Sequence, residues 1–139
     1  MTELTSLASP VAALLRQRKE TIAIAESSAG GLISAALLDI GDDDVKGIRS
    51  STEEYARIKA RAIRQLLGAT WGLAETGASG PTGNRYGDAP GHACFAVAGP
   101  VDRALTLETQ VADREKNMWA FARAALLLLE AALSETRTP

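Results

Sequence analysis

Thr21-Ile-Ala-Ile-Ala-Glu-Ser-Ser-Ala-Gly-Gly-Leu-Ile33 decides the fold. Its first five residues are short, apolar and partly β-branched, which suits a central strand covered on both faces. Past the polar residues and glycines, Leu32, Ile33, Ala36, Leu37 and Ile40 recur at helical spacing. A strand, a tight polar turn and a helix in that order predict an α/β fold, a three-layer α/β/α domain with a mixed sheet. Gly30 and Gly31 let backbone come close to a ligand, and the free N–H groups of a helix start attract an anion. Phosphate or carboxylate binding is the functional reading of this corner. The competing reading is that the glycines only shape the connection while the serines cap the helix.

Upstream, Leu4, Leu7, Val11, Leu14 and Leu15 repeat with helical spacing, and Pro10 suits a first turn, so the residues ahead of it are expected to fray. Downstream, Asp42, Asp43 and Asp44 resemble a cation site, but successive carboxylates in a loop diverge, and a solvated turn is the better reading. Ser51 with Glu54 forms a capping box for a helix through Tyr55, Ile58, Ala62, Leu66 and Leu67, ended by Gly68. Tyr55 and Lys59 stand one turn apart, a spacing that some dehydrogenases use for acid–base work. Without a dinucleotide fingerprint they read as a core tyrosine beside a surface lysine.

Residues 69–76 read as a second strand running into a loop, 77–91, that is crowded with glycine. Ser79, Thr82, Asn84 and Arg85 give that loop polar donors beside permissive backbone, which suits a ligand-binding lip; a plain surface loop is the alternative. Residues 92–98 form a third strand, and a short turn makes 104–111 its antiparallel, half-exposed partner. His92, the only histidine, has no ligand pattern beside it and reads as structural. Asp113 caps a last helix that directs Met118, Phe121, Ala125, Leu128 and Ala132 to the core. Arg114 opposes the helix dipole there, so a nearby anion would explain it.

Composition removes whole classes of function. The chain has 139 residues, 46% of them hydrophobic, enough for one domain with its own core over 1–139. Net charge is −2, with 15 basic and 17 acidic residues, so no surplus of cations is available for a nucleic-acid backbone. The single cysteine, Cys94, lies in an apolar run and allows no disulfide within the chain. The longest apolar run, 124–129, is too short to span a bilayer, and no secretory signal is evident at the start. A cytoplasmic protein with no membrane or nucleic-acid partner is expected.

Four pieces occur in order: 25–33 after a strand, Glu75-Thr-Gly-Ala-Ser-Gly-Pro-Thr-Gly83, Pro90-Gly91 before a strand, and Asp113-Arg-Glu-Lys-Asn-Met118 opening the last helix. Together they resemble the C-terminal domain of CinA, the nicotinamide mononucleotide amidohydrolase (NMN deamidase) family, across most of the chain. The resemblance implies hydrolysis of the carboxamide of nicotinamide mononucleotide to nicotinic acid mononucleotide and ammonia. It implies no metal and no cofactor, a small-molecule nucleotide as substrate, and a homodimer. Carried over by position, Ser27 is the candidate nucleophile, and Glu26, Ser28, Gly30, Gly31, Gly77, Ser79, Gly80, Thr82 and Arg114 are candidate substrate contacts. Pro81 and Gly83 match the second motif as well.

The sequence also departs from the family. Family members lead from the helix after the first motif through a glycine-serine turn into a strand with tyrosine and serine, then a lysine, and these supply much of the proposed chemistry. Here the chain passes from Leu38 to Arg49 almost directly, with Lys46 the only nearby lysine and Tyr55 already on the next helix. Ser28 and Ala29 stand where many members have cysteine and threonine, and Ala112 replaces a common glycine. Amide hydrolysis needs a nucleophile, a base and donors for the oxyanion. Ser27 or Ser28 offers the hydroxyl and Gly30-Gly31 the donors, while the residues alone name no base. A catalytically impaired nucleotide-binding relative is therefore the alternative expectation.

Overall fold

The computed structural model describes residues 2–27 and 49–136. Three helices and four strands follow one another as α1 (Thr2–Arg18), β1 (Ile22–Ala25), α2 (Glu53–Leu67), β2 (Trp71–Ala78), β3 (His92–Ala98), β4 (Arg103–Glu108) and α3 (Arg114–Glu135). The sheet order is β1-β2-β3-β4. β1 runs parallel to β2, with Ile22 opposite Trp71 and Ala25 opposite Ala74, and the other two pairings are antiparallel. The mixed sheet of an α/β fold is thus present. It has helices on both faces.

Strand alternation sorts the core into those two faces. Ala74, Cys94, Ala96 and Ala98 point with Ala23 and Ala25 toward Ala56, Ala60 and Ile63 of α2. Trp71, Leu73 and Val97 point the other way, onto Val11 and Leu15 of α1 and Leu129, Ala132 and Leu133 of α3. Phe95 continues that second face and meets Phe121 edge to face, with ring centroids 6.1 Å apart. β3 is buried at every position, which explains its unbroken apolar reading.

Several boundaries differ from the sequence expectation for identifiable reasons. α1 begins at Thr2 and carries Pro10 in its interior. Proline removes one helical hydrogen bond, and Leu4, which reaches a cleft described below, helps to anchor the turn ahead of it. Thr52, not Ser51, caps α2: its hydroxyl accepts from the Tyr55 N–H at 3.2 Å. Ser51 is committed elsewhere, with φ of 60°, its N–H donated to Thr76 Oγ1 and its carbonyl turned to His92. β4 ends at Glu108: the Thr109 N–H still bonds the Gly91 carbonyl and its hydroxyl donates to Asn117 Oδ1 of α3, but Gln110 has φ of 61° and turns the chain out of the strand. β1 was expected in the middle of the sheet, yet among the described strands it stands at an edge, with Ile24 37% exposed.

Candidate functional site

The parallel strand β1 stops at Ala25 while its partner β2 continues to Ala78. Ligands of α/β sheets bind in such openings, beyond the carboxyl ends of strands. Here the opening continues into a cleft of about 450 Å³ between the sheet and α3, floored by Ile24 and Leu73 and walled by Met118, Trp119, Phe121 and Leu126. Met118 was expected in the core; it is 44% exposed and lines this cleft instead. Its place in the core is taken by Asn117, one residue earlier and 1% exposed. Glu26, Ser27, Glu75, Gly77 and Ser79 form the polar end.

Glu75 is the first β2 residue without a β1 partner, so its carboxylate meets the chain that leaves β1. Oε2 accepts two hydrogen bonds from Ser27, at 3.0 Å from Oγ and 3.2 Å from the backbone N–H. Burial pushes the Glu75 carboxyl above the usual carboxylate range and the neighbouring Glu26 pushes it further, against the pull of both Ser27 bonds and of the Lys59 charge. Lys59 is displaced oppositely: burial lowers its pKa, and Glu75 offsets part of that. A hydroxyl hydrogen-bonded to a carboxyl of raised pKa is an arrangement suited to proton transfer. Among the described lining residues, Glu26 and Glu75 are the only charged groups, so the described part of the cleft is acidic.

The expected site residues separate into three groups. Glu26, Ser27, Gly77 and Ser79 come together at the polar end of the cleft. Gly80, Thr82 and Arg114 are not among the residues that line it. Arg114 Nη1 donates to the Gly80 carbonyl at 3.0 Å, so the guanidinium ties the glycine-rich loop to the start of α3. Buried Asn117 reinforces the tie, with Nδ2 donating to the carbonyls of Ser79 at 2.8 Å and Val111 at 2.7 Å. Gly80 has φ of 105°, and a Cβ there would sit 2.7 Å from the Ala112 carbonyl oxygen, so the loop needs glycine at its tightest point. Ser28, Gly30 and Gly31, with the anion corner expected of them, lie outside the described residues, as do Asp42, Asp43 and Asp44.

Sequence reasoning gave no role to Glu75, which lines the cleft, or to Asn117, which ties the loop beside it. Glu75 carried one legible signal, a carboxylate inside an otherwise apolar strand directly before a glycine-rich loop. Tyr55 and Lys59 are both half-buried, rather than one in the core and one at the surface, and the Lys59 ammonium lies 5.4 Å from the Tyr55 ring centroid. His92 is structural, as expected. Both ring nitrogens meet oxygen atoms: Nδ1 the Glu108 carboxylate, and Nε2 the Ser51 carbonyl at 2.8 Å.

Fold and cleft together define a three-layer α/β domain with a site at a strand end. The sequence model of the CinA C-terminal domain matches residues 4–45 and 36–133, and the chain belongs to that family. A CinA-like protein of Synechococcus is 36% identical over 141 positions, covering 82% of this chain and 33% of its own length. One from Syntrophus aciditrophicus is 32% identical over 160 positions, covering 96% and 38%. The chain thus spans about a third of the length of the curated relatives it matches. Among solved structures, a CinA superfamily protein of Escherichia coli superposes with a TM-score of 0.77 at 20% identity, covering 91% of this chain and 88% of that one. The competence damage-inducible protein A of Klebsiella pneumoniae gives 0.77 at 23%, covering 96% and 99%. At these identities the likeness shows the fold.

The same comparisons bear on the shortened middle. The Synechococcus alignment runs through more positions than this chain has residues while using only 82% of them, so the relative carries residues without a counterpart here. The family match also restarts at residue 36 before its first stretch ends at 45. That overlap falls where the sequence passes abruptly from Leu38 to Arg49.

Proposed function

We propose that the cleft is the substrate site of an amidohydrolase acting on the carboxamide of nicotinamide mononucleotide, with Ser27 as nucleophile and Glu75 as its base. The observation that carries this reading is the Ser27 Oγ–Glu75 hydrogen bond of 3.0 Å at the mouth of the cleft. Ser27 Oγ attacks the amide carbon as its proton passes to Glu75; Glu75 then returns the proton to the departing nitrogen, releasing ammonia and leaving an ester on Ser27. Water hydrolyses that ester with Glu75 again accepting a proton. Ile24, Leu73, Trp119 and Phe121 suit a flat aromatic ring, and the two carboxylates favour one that is positively charged, as a pyridinium is. The phosphate falls to the Gly30-Gly31 corner, as the sequence implies. A cytoplasmic homodimer belongs to the same reading through the family resemblance.

The shortened middle favours a second reading, a relative that binds the nucleotide without turning it over. One experiment separates the two: incubation with nicotinamide mononucleotide while melting temperature and released ammonia are followed together. Turnover is expected, falling at least a hundredfold in Ser27→Ala and in Glu75→Gln, each of which should still be stabilised by the nucleotide. Stabilisation without ammonia from the unaltered protein would establish the binding-only reading. Neither signal would exclude this ligand altogether.

A further inference from the structure

The sheet fixes the polar end of the cleft only part of the way. Leu73, Glu75 and Gly77 of β2 alternate onto the cleft side, and β3 holds Glu75 and Gly77 in register, opposite Phe95 and Ala93. Ser79 lines the cleft as well, but it lies past the last pairing, Ala78 with His92, so the ladder does not place it. The apolar wall beside it comes from α3, through Met118 and Trp119. A buried side chain of that helix joins wall and rim. Asn117 is 1% exposed and is not among the residues that line the cleft. Its Nδ2 donates to the Ser79 carbonyl at 2.8 Å and the Val111 carbonyl at 2.7 Å, and its Oδ1 accepts from the Thr109 hydroxyl at 2.6 Å.

We propose that Asn117 is a positioning residue of the cleft: its amide ties Ser79 to α3, fixes the rim against the apolar wall, and so sets how tightly the substrate is held. The inference rests on the reading of the cleft as the substrate site. The other buried residues of α3 are Phe121, Leu129, Ala132 and Leu133, so an amide on that face costs desolvation unless its polar atoms are bonded. Here both Nδ2 hydrogens and Oδ1 have partners. Those partners belong to stretches that follow β2 and β4, which no strand pairing joins to each other. Arg114 adds a bond to the Gly80 carbonyl, but its side chain is exposed, and a hydrogen bond open to water holds less firmly than a buried one. The Ser27–Glu75 bond joins the end of β1 to β2 and involves no part of α3. Loosening Ser79 therefore weakens binding and leaves the reacting pair in place.

The test uses the full chain and nicotinamide mononucleotide. Asn117→Asp keeps the size of the side chain and its acceptor for Thr109 but loses both donated bonds. KM should rise roughly tenfold while kcat stays within about twofold. Thr109→Ala, which removes the hydroxyl that orients the amide, should raise KM roughly threefold, and it takes the place of Asn117→Asp if that variant fails to fold. Leu129→Ala loosens the same helix away from the cleft lining, and its KM should match that of the unaltered protein. Unchanged KM in the folded Asn117 and Thr109 variants, or a loss confined to kcat, overturns the proposal. An equal rise in Leu129→Ala also overturns it, since lost stability would then explain the shift. If the unaltered protein binds without turnover, the dissociation constant from calorimetry replaces KM. If it does not bind the nucleotide, the amidohydrolase reading fails, and hydrogen exchange decides whether Asn117 holds the rim. The Ser79 and Gly80 amides should then exchange at least about tenfold faster in Asn117→Asp relative to those of β2, and unchanged protection overturns the proposal.

Discussion

The two faces of the sheet are built on opposite plans. Toward α2 the core is almost all alanine, with Ala23, Ala25, Ala56, Ala60, Ala74, Ala96 and Ala98 in one cluster. Such small side chains let helix and strand backbones approach closely. A Cβ on Gly72 would lie 2.1 Å from the Ala60 carbonyl oxygen and 2.9 Å from the Arg64 Cβ. Toward α1 and α3 the sheet presents Trp71, Leu73, Phe95 and Val97, met by Phe121, Leu129 and Leu133. Large residues hold those helices away, and the space they leave beyond the end of β1 is the cleft. Close packing on one side makes a floor; wider spacing on the other makes room for a ligand.

If that contrast is right, the two faces should fail in opposite ways. The wide face should be sensitive to deletion. Leu129 is 2% exposed and packs in the Trp71 cluster, so Leu129→Ala should cost about 2–5 kcal/mol, read from urea denaturation. A loss below about 1 kcal/mol would mean that the face collapses freely and is not a rigid wall. The alanine face should be sensitive to addition. Gly72→Ala inserts a single methyl against the Ala60 carbonyl, and overpacking of this kind costs roughly 1–3 kcal/mol. A neutral Gly72→Ala would show that α2 can retreat from the sheet, and the comparison would lose its basis.

The same contrast governs what could be read in the sequence. Apolar periodicity found α2, α3 and the four described strands, because each is long enough or bounded clearly enough to show its period. It failed where partners distant in the chain decide. Ser51 looked like a helix cap, but its N–H and carbonyl are claimed by Thr76 and His92. Tyr55 and Lys59 looked like one core and one surface residue, yet both are half-buried with the ammonium over the ring, which helical spacing alone does not reveal. Ser27 was legible from its motif. Its partner Glu75 was quoted in a motif yet given no role, since only the register of β1 against β2 shows that it lies one position beyond the last β1 pairing. Met118 was placed in the core because one turn of a helix beside a cleft has the same spacing as one beside a sheet.

The smallest expected effect lies where the alanine face closes with polar groups. There His92 is 7% exposed, with Glu108 on Nδ1, the Ser51 carbonyl on Nε2 and Asp88 Oδ2 3.7 Å from Nε2. Cys94 Sγ stands 3.8 Å from Nε2, Thr106 lies between Cys94 and Glu53, and Arg49 pairs with Asp88. Burial alone would lower the His92 pKa, but the Glu108 and Ser51 hydrogen bonds and the Asp88 charge outweigh it, and the net displacement is upward. Two acceptors, one at each ring nitrogen, hold the doubly protonated imidazolium. A pKa raised on folding contributes stability that is complete below the unfolded value of about 6.5 and is lost as pH rises through the folded value. Melting temperature should therefore decline through that window by a few degrees in the unaltered protein, and His92→Gln should flatten the decline. The same slope in both proteins would locate the titrating group elsewhere. Loss of the slope with an unchanged cleft would separate the two faces of the sheet at this one end, where His92 lies opposite Ala78, one face closed by charge and the other open to a ligand.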